Sequence, residues 1–324
     1  MKPEPIFIFS LPRSGSTWLQ RIISSHPDVA TITEPWFLLP ALSATKNHFS
    51  FQVYDHQLCL MGIESALLSN GHQSKWRSRY FAGVAAMAEN IYSNFSGDCR
   101  LFLDKTPRYS LICEEIIQTF PDAKFIFLWR HPFSIVSSIH KTWANESWVM
   151  PKYEVDLYDG LLNLITVSQK YTGKIFVLQY EELYDQPIES VKKLFSYLGL
   201  DYRDNILEDA RRHIIHGDMG DPNQHNERAI LAGSDWNNAA ISFSKNKFYK
   251  FWLKKYLIYI GPERMQRMGY DFHQSLSVLD GIKPNSFGVF DYLNDTSFEL
   301  RRYLIYRLAI NPLDRDSVYF RHSK

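Results

Sequence analysis

Five short apolar runs punctuate the first 180 positions: Ile6–Ser10, Val29–Thr33, Leu101–Leu103, Lys124–Trp129 and Ile175–Gln179. Each is too short for a helix, and continuous rather than alternating apolar character predicts strands buried on both faces. Between the first two runs, Trp18, Leu19, Ile22 and Ile23 recur at helical spacing, and the pattern stops at His26-Pro27, where proline ends a helix. Strands separated by helices predict an α/β fold, a parallel sheet covered on both faces with right-handed crossovers.

From about Ala41 to Gly97 helix-like and aromatic stretches replace the strand series, which predicts a helical insertion over the sheet edge, in the place of a lid. His216 to Asp235 is rich in Gly, Asp, Asn and Pro and reads as a long loop, either functional or a plain linker. Tyr249, Trp252, Leu253, Tyr256, Leu257 and Ile260 then mark an amphipathic helix whose other face carries Lys250, Lys254 and Lys255. A core-packing helix with a solvated lysine face is expected. Beyond Phe272 the pattern weakens, giving an expected main domain over residues 1–272, with the insertion at 41–97, and a C-terminal extension over 273–324. In that extension Glu299 to Lys324 holds six Lys/Arg against three acids, with Leu300, Tyr303, Leu304 and Leu308 at helical spacing. Such a segment packs on its own domain or touches a membrane surface.

Composition narrows the chemistry. With 36 Lys+Arg against 35 Asp+Glu in 324 residues, summed charge cannot hold a nucleic acid, so any anion site must be local. Cys59, Cys99 and Cys113 form no CxxC pair, which speaks against a disulfide scaffold or a zinc ribbon and leaves no metal site expected. No stretch reaches the roughly 18 apolar residues of a membrane span, and the first run is too short for a signal peptide. A cytoplasmic protein with reduced thiols is expected.

The first strand runs into Ser10-Leu11-Pro12-Arg13-Ser14-Gly15-Ser16-Thr17 and then a helix. Backbone N–H groups and the positive end of a helix dipole converge there, where Gly15 permits close approach and Arg13 adds charge. A serine-capped helix is the plainer alternative. The segment lacks the earlier Gly and the Lys of GxxxxGK[ST], so it is not a Walker A loop. A second cation follows a strand at Arg130-His131-Pro132, before a helix bearing Ser134, Ser137 and Ser138. Two such sites suit a ligand with two separated anionic groups.

This ordered set resembles the sulfotransferases that use 3′-phosphoadenosine 5′-phosphosulfate (PAPS). Leu11–Leu19 is similar to their 5′-phosphosulfate loop, and Trp129 through Ser138 to their 3′-phosphate motif. Further matches are Asp104-Lys105-Thr106-Pro107, Tyr180-Glu181-Glu182-Leu183 with Pro187 and Phe195–Gly199, and Met268-Gly269-Tyr270-Asp271, so the resemblance covers residues 5 to 272. It implies a P-loop-like fold and PAPS as donor, with 3′,5′-adenosine bisphosphate as product. Arg13, Ser14, Gly15, Ser16 and Thr17 would cradle the 5′ end, Arg130 with Ser138 would grip the 3′-phosphate, and Tyr180 would lie beside the nucleotide. Arg228, upstream of Trp236, is the candidate for a further cation over the nucleotide. Arg13 stands where small-molecule cytosolic members usually carry Lys, which points to the bacterial, carbohydrate and protein-tyrosine branch.

Sulfuryl transfer needs an acceptor in line with sulfur, a base, and donors for the leaving charge; it needs no metal. Arg13 and Lys105 suit the leaving charge. Glu34, held extended before Pro35, stands 21 residues after Arg13, matching the base of the protein-tyrosine members. Glu34 could instead pair with Arg13, and His131 and His140 are alternative bases. Trp36, Phe37, Trp76, Tyr80, Trp143 and Trp148 either surround the acceptor or pack the core. The acceptor itself stays open: a hydroxyl or amine of a carbohydrate, lipid, polyketide-like molecule, peptide or other small molecule. Two other functions compete, a non-catalytic nucleotide-binding scaffold and a P-loop nucleotide kinase; the missing Walker A spacing opposes the kinase.

Overall fold

The five apolar runs pair into one parallel sheet in a computed structural model, which describes residues 2–46, 60–63, 76–143, 148–215, 235–287, 292–293 and 295–296. Its strands are β1 (Glu4–Phe9), β2 (Val29–Thr31), β3 (Leu101–Asp104), β4 (Lys124–Trp129) and β5 (Ile175–Gln179), in the order β2-β3-β1-β4-β5. Each neighbouring pair is parallel, with Phe7 opposite Asp104 and Phe125. β2 stops two residues short of the expected Thr33. The Gln20 side chain donates to both Thr31 Oγ1 and Ile32 O, and so satisfies the carbonyl just past the strand's end. Glu34 therefore stands on an extended segment just beyond the sheet.

In chain order the helices are α1 (Ser16–Ser24), α2 (Leu38–Ser43), α3 (Trp76–Ser96), α4 (Cys113–Thr119), α5 (Pro132–Trp143), α6 (Leu161–Lys170), α7 (Tyr180–Asp185), α8 (Pro187–Leu198), α9 (Ile206–Arg212), α10 (Trp236–Phe243), α11 (Lys247–Arg267) and α12 (Phe272–Gly281). A 3₁₀ turn at Pro107–Leu111 follows β3, and another at Met150–Tyr153 runs into a π-helical turn at Val155–Gly160.

Strand pleating sends alternate residues to opposite faces. One face is aromatic, built from Phe7, Phe9, Phe102, Phe125 and Phe127 under α3 to α6 and α11. The other is aliphatic, built from Ile6, Ile8, Leu101, Leu103, Ile126 and Leu128 under α1 and α7 to α9. Helix α3 buries Phe81, Val84, Ala88 and Tyr92 against the aromatic face. The described part of the expected insertion is thus a layer of the core near edge strand β2; residues 47–59 and 64–75 lie outside the described residues.

The expected amphipathic helix is α11, with Tyr249, Leu253, Tyr256, Leu257 and Ile260 buried. Its lysine face does more than meet solvent. Lys250 donates to the Asp280 and Ile282 carbonyls, and Lys254 pairs with Asp280, placing positive charge at the negative end of α12. Asp271 caps α12 through Gln274 N, and Leu279 is fully buried. The core continues past Phe272; the pattern weakened there because α12 buries only Ser275 and Leu279. Among the described residues no helix is long and apolar enough to cross a membrane. Of the extension, Asp295 accepts from Trp148 Nε1 at 2.6 Å, and residues 299–324 lie outside the described residues.

Candidate active site

The carboxyl ends of β1, β3 and β4 and the segment after β2 bring two arginines, a lysine and a carboxylate together. After β1 the chain turns through Arg13 (φ 66°) and Gly15 (φ 87°), two left-handed residues flanking Ser14. Ser14 N donates back to Leu11 O at 3.3 Å, closing the turn that leads into α1. A Cβ on Gly15 would stand 2.3 Å from Tyr180 Cδ2, so glycine is required both for its backbone angle and for contact with that ring. The loop enters α1 with no side-chain cap. The serine-capped alternative is therefore not what forms, and the first-turn N–H groups of α1 keep no side-chain partner at their cap position.

Arg130, at the end of β4, lies with its guanidinium carbon 4.2 Å from the Tyr180 ring centroid and donates from Nη1 to Arg13 O at 2.9 Å. Burial lowers its pKa, with Tyr180 and Glu181 acting to raise it. Arg13 Nε donates to Ser138 Oγ at 3.2 Å, and its guanidinium lies over Trp143 at 5.2 Å. Ser138, expected to grip the 3′-phosphate together with Arg130, thus meets Arg13 in the structure. The first turns of α5 point that hydroxyl back across the cleft toward β1, which ties the two anion motifs to each other.

Three buried polar atoms at this junction have no partner: Ser14 Oγ, Arg130 Nε and Ser137 Oγ. An unsatisfied buried donor costs about 1–3 kcal/mol, so their gathering beside an uncapped helix fits an anionic ligand that supplies the oxygens. The residues present fit a nucleotide bearing two anionic groups. Tyr180 lies beneath Gly15 and Arg130, and Thr17 stands in the first turn of α1.

Lys105 follows β3 and is 2% exposed; its Nζ meets Glu34 Oε1 at 2.8 Å and Thr17 Oγ1 at 3.4 Å. Glu34 therefore pairs with Lys105 rather than with Arg13, and Oε2 of Glu34 has no partner among the described residues. Behind the pair, Asp104 is fully buried, and its Oδ2 accepts from Tyr92 OH at 2.7 Å and Tyr109 OH at 3.3 Å. Burial pushes the Asp104 carboxyl up to about 7; the two tyrosine hydrogen bonds and Lys105 oppose the rise, while Glu34 adds to it.

His131 and His140 are both packed among aromatic rings. His131 is 1% exposed, stacked on Trp236 at 4.2 Å. Its Nδ1 accepts from Phe133 N and its Nε2 contacts Ser275 Oγ, which assigns the proton to Nε2. Burial pushes its pKa down to about 3, so it is neutral and enclosed. His140 packs edge-on against Phe243 and Tyr249, with α5 turning it toward α10 and α11. The matched Tyr180-Glu181 segment gains a physical role here: Glu181 accepts from His131 N at 3.0 Å and from Tyr270 OH at 2.6 Å. It thereby fixes the loop after β4 to the segment after α11.

Of the six expected acceptor aromatics, Trp36 meets Arg108 and Trp143 meets Arg13. Phe37 packs on Tyr92, Tyr80 donates to Ala41 O, and Trp148 packs among Phe248, Tyr249 and Trp252. Trp76 is buried. Arg228 lies outside the described residues. Sequence reasoning missed Arg108, Tyr153 and Asp156. Arg108 directly follows a matched motif and could have been found, whereas Asp156 stands 48 residues away from it, beyond any local signal.

The profile of the Sulfotransferase family matches residues 5–204. Nodulation protein NoeE of Sinorhizobium fredii is 28% identical over 229 residues, 62% of this chain and 52% of that protein. A protein-tyrosine sulfotransferase of Drosophila melanogaster is 21% identical over 207 residues, 62% of this chain and 39% of that protein. The match thus spans about half of the first relative and less of the second. The sulfotransferase domain of the Synechococcus PCC 7002 olefin synthase is similar in structure with a TM-score of 0.48 at 22% identity, covering 72% of this chain and 88% of that domain.

Proposed function

Because this chain belongs to the sulfotransferase family, we propose that it transfers a sulfuryl group from PAPS to an acceptor hydroxyl or amine. The observation that carries this reading is the uncapped, twice left-handed loop with its unpartnered Ser14, Arg130 and Ser137 atoms, opening beside the Glu34–Lys105 pair. When bound, the donor supplies an activated sulfuryl group whose bond to a phosphate oxygen breaks as the acceptor oxygen attacks.

The chain's own groups then divide the work. Arg13, the Ser14 hydroxyl and the N–H groups from Gly15 to Thr17 hold the 5′ end and oppose the charge left on the departing bisphosphate, with Lys105 adding further positive charge. Arg130 holds the 3′-phosphate, and Tyr180 fixes both Arg130 and the loop. Lys105 grips Oε1 of Glu34, leaving Oε2 to take the acceptor proton. Preorganised donors of this kind are each worth on the order of 3 kcal/mol of barrier, and a positioned base about 10²- to 10⁴-fold in rate. A cytoplasmic location is part of the proposal, supported by Cys99 and Cys113 as free thiols.

The test is transfer of labelled sulfate from PAPS to a mixed acceptor pool, with Glu34→Gln as control. Transfer by the wild type and its collapse in Glu34→Gln, with bisphosphate binding intact in both, is the expected result. Bisphosphate binding with no transfer to any acceptor would overturn the enzymatic reading and favour a nucleotide-binding scaffold.

A further inference from the structure

Two departures from ordinary local structure, at Trp36 and in the π-helical turn, meet at Arg108. Trp36, two residues past Glu34, holds φ 59°, costly for a bulky non-glycine residue. Asp156 is fully buried and sits in the π-helical turn, a form that recurs at functional sites. Arg108 joins them: its Nε and Nη2 donate to the two Asp156 carboxylate oxygens at 3.3 Å each, and its guanidinium carbon lies 5.9 Å from the Trp36 ring centroid. Sequence preference favours none of these features, and such local conflicts concentrate where function requires them.

The exposure of the pair is asymmetric, with the Arg108 side chain 36% exposed and Asp156 at 0%. A buried carboxylate facing a half-exposed guanidinium adds little stability, but it fixes the plane of that guanidinium. Nη1 remains outside the pair. The wall is continuous with the anion loop, because Tyr153 stacks on Trp143 at 5.0 Å and feels the charges of Asp156, Arg108 and Arg13. A cation beside two aromatic plates would attract an anion if it were alone. Here the buried carboxylate cancels its charge, leaving a directed N–H donor over an indole face.

We infer that Arg108 is the acceptor-recognition residue, donating from Nη1 to a hydroxyl or ether oxygen of a neutral, oxygen-rich acceptor, and that Asp156 is the positioning residue that sets this selectivity. The inference rests on the sulfotransferase reading. Orientation and charge cancellation are separable, because asparagine at position 156 keeps an oxygen for Arg108 while leaving the guanidinium charge uncompensated.

The experiment measures kcat and KM for three probe acceptors, maltotetraose, p-nitrophenol and an acidic tyrosine peptide, in wild type, Arg108→Ala, Arg108→Lys and Asp156→Asn. Thermal stabilisation by 3′,5′-adenosine bisphosphate is read in each variant as the check on folding and on the anion cradle. Wild type should prefer maltotetraose. Arg108→Ala should raise its KM roughly tenfold or more, the scale of one hydrogen bond to a charged donor, with bisphosphate stabilisation kept. Arg108→Lys should not rescue, since lysine cannot form the two-pronged pair. Asp156→Asn should shift preference toward the acidic peptide by about tenfold, which a merely structural role would not do. Unchanged preference in Asp156→Asn with normal bisphosphate binding overturns the inference alone, as does wild-type preference for the phenol or peptide. Wild type that transfers to the mixed acceptor pool but to none of the three overturns the inference alone, bisphosphate binding with no transfer to any acceptor overturns it together with the transfer reading, and loss of bisphosphate binding in wild type overturns the family-based site itself.

Discussion

The two walls of the cleft are encoded differently. The anion wall is nearly contiguous: Arg13 to Thr17 are consecutive, and Arg130 to Ser138 lie within one strand-to-helix junction. The Arg108 wall assembles Trp36, Arg108, Tyr153 and Asp156 from three separate segments through a pair 48 residues apart. Binding a phosphate asks for backbone N–H groups at a helix start, which only a local sequence can arrange. Recognising an acceptor asks for side chains at chosen points around a cavity, and the fold brings these together from anywhere along the chain.

The largest test of this contrast is Arg13→Ala, which removes a contact of the anion wall and its bond to Ser138. Bisphosphate affinity should fall by about two orders of magnitude or more, since each hydrogen bond between charged groups contributes about 1.5–3 kcal/mol; equilibrium titration of the pure protein reads this. Arg130→Ala should match it. Affinity retained in both variants would break the assignment of the wall.

Glu34→Gln separates chemistry from binding. Its kcat should fall about 10²- to 10⁴-fold while bisphosphate affinity stays within a factor of two or so, and a fall in both would make Glu34 part of the anion wall instead. Gly15→Ala probes the backbone rather than a charge. With φ at 87° and Tyr180 2.3 Å from the new carbon, it should cost more than about 1 kcal/mol of stability and lower the melting temperature by several degrees.

The smallest effect sharpens the boundary between the walls, where Asp104 lies beneath Lys105 and Tyr109. Its carboxyl is raised to about 7 against about 3.9 in an unfolded chain, so over that interval the folded state binds more protons than the unfolded one. Stability from this group is full below about pH 4 and is lost as pH rises through 7. Asp104→Asn should therefore gain melting temperature relative to wild type as pH rises from 5 to 8, with the gap levelling above. A gap that stays constant with pH would show that Asp104 is not the titrating group.

The same contrast explains what could be read in advance. β4 and β5 were legible to the residue because every position in them is apolar or a matched end, and the α/β class followed from strands alternating with helices. The short β2 was not, because the Gln20 side chain that takes over from the ladder is 12 residues from Ile32. Arg13, Gly15, Arg130 and Tyr180 meet in the structure. Arg13 Nε reaches Ser138 Oγ, a contact with no local signal because the direction of a helix-borne hydroxyl depends on how α5 sits on the sheet. His131 stood as an alternative base, and Trp236 and Ser275, more than one hundred residues later, enclose it. Helix α12 was missed because a helix that buries two of its ten residues leaves little periodic signal.

The central claim is that the anion wall holds a nucleotide with two separated anionic groups. Thermal-shift titration with 3′,5′-adenosine bisphosphate beside AMP and Mg-ATP tests it most directly, since ligand at about 100 times its dissociation constant adds roughly 2.7 kcal/mol of stability. The account predicts stabilisation by the bisphosphate well above that from AMP or Mg-ATP at equal concentration. No shift with the bisphosphate, or a larger one with Mg-ATP, would contradict it.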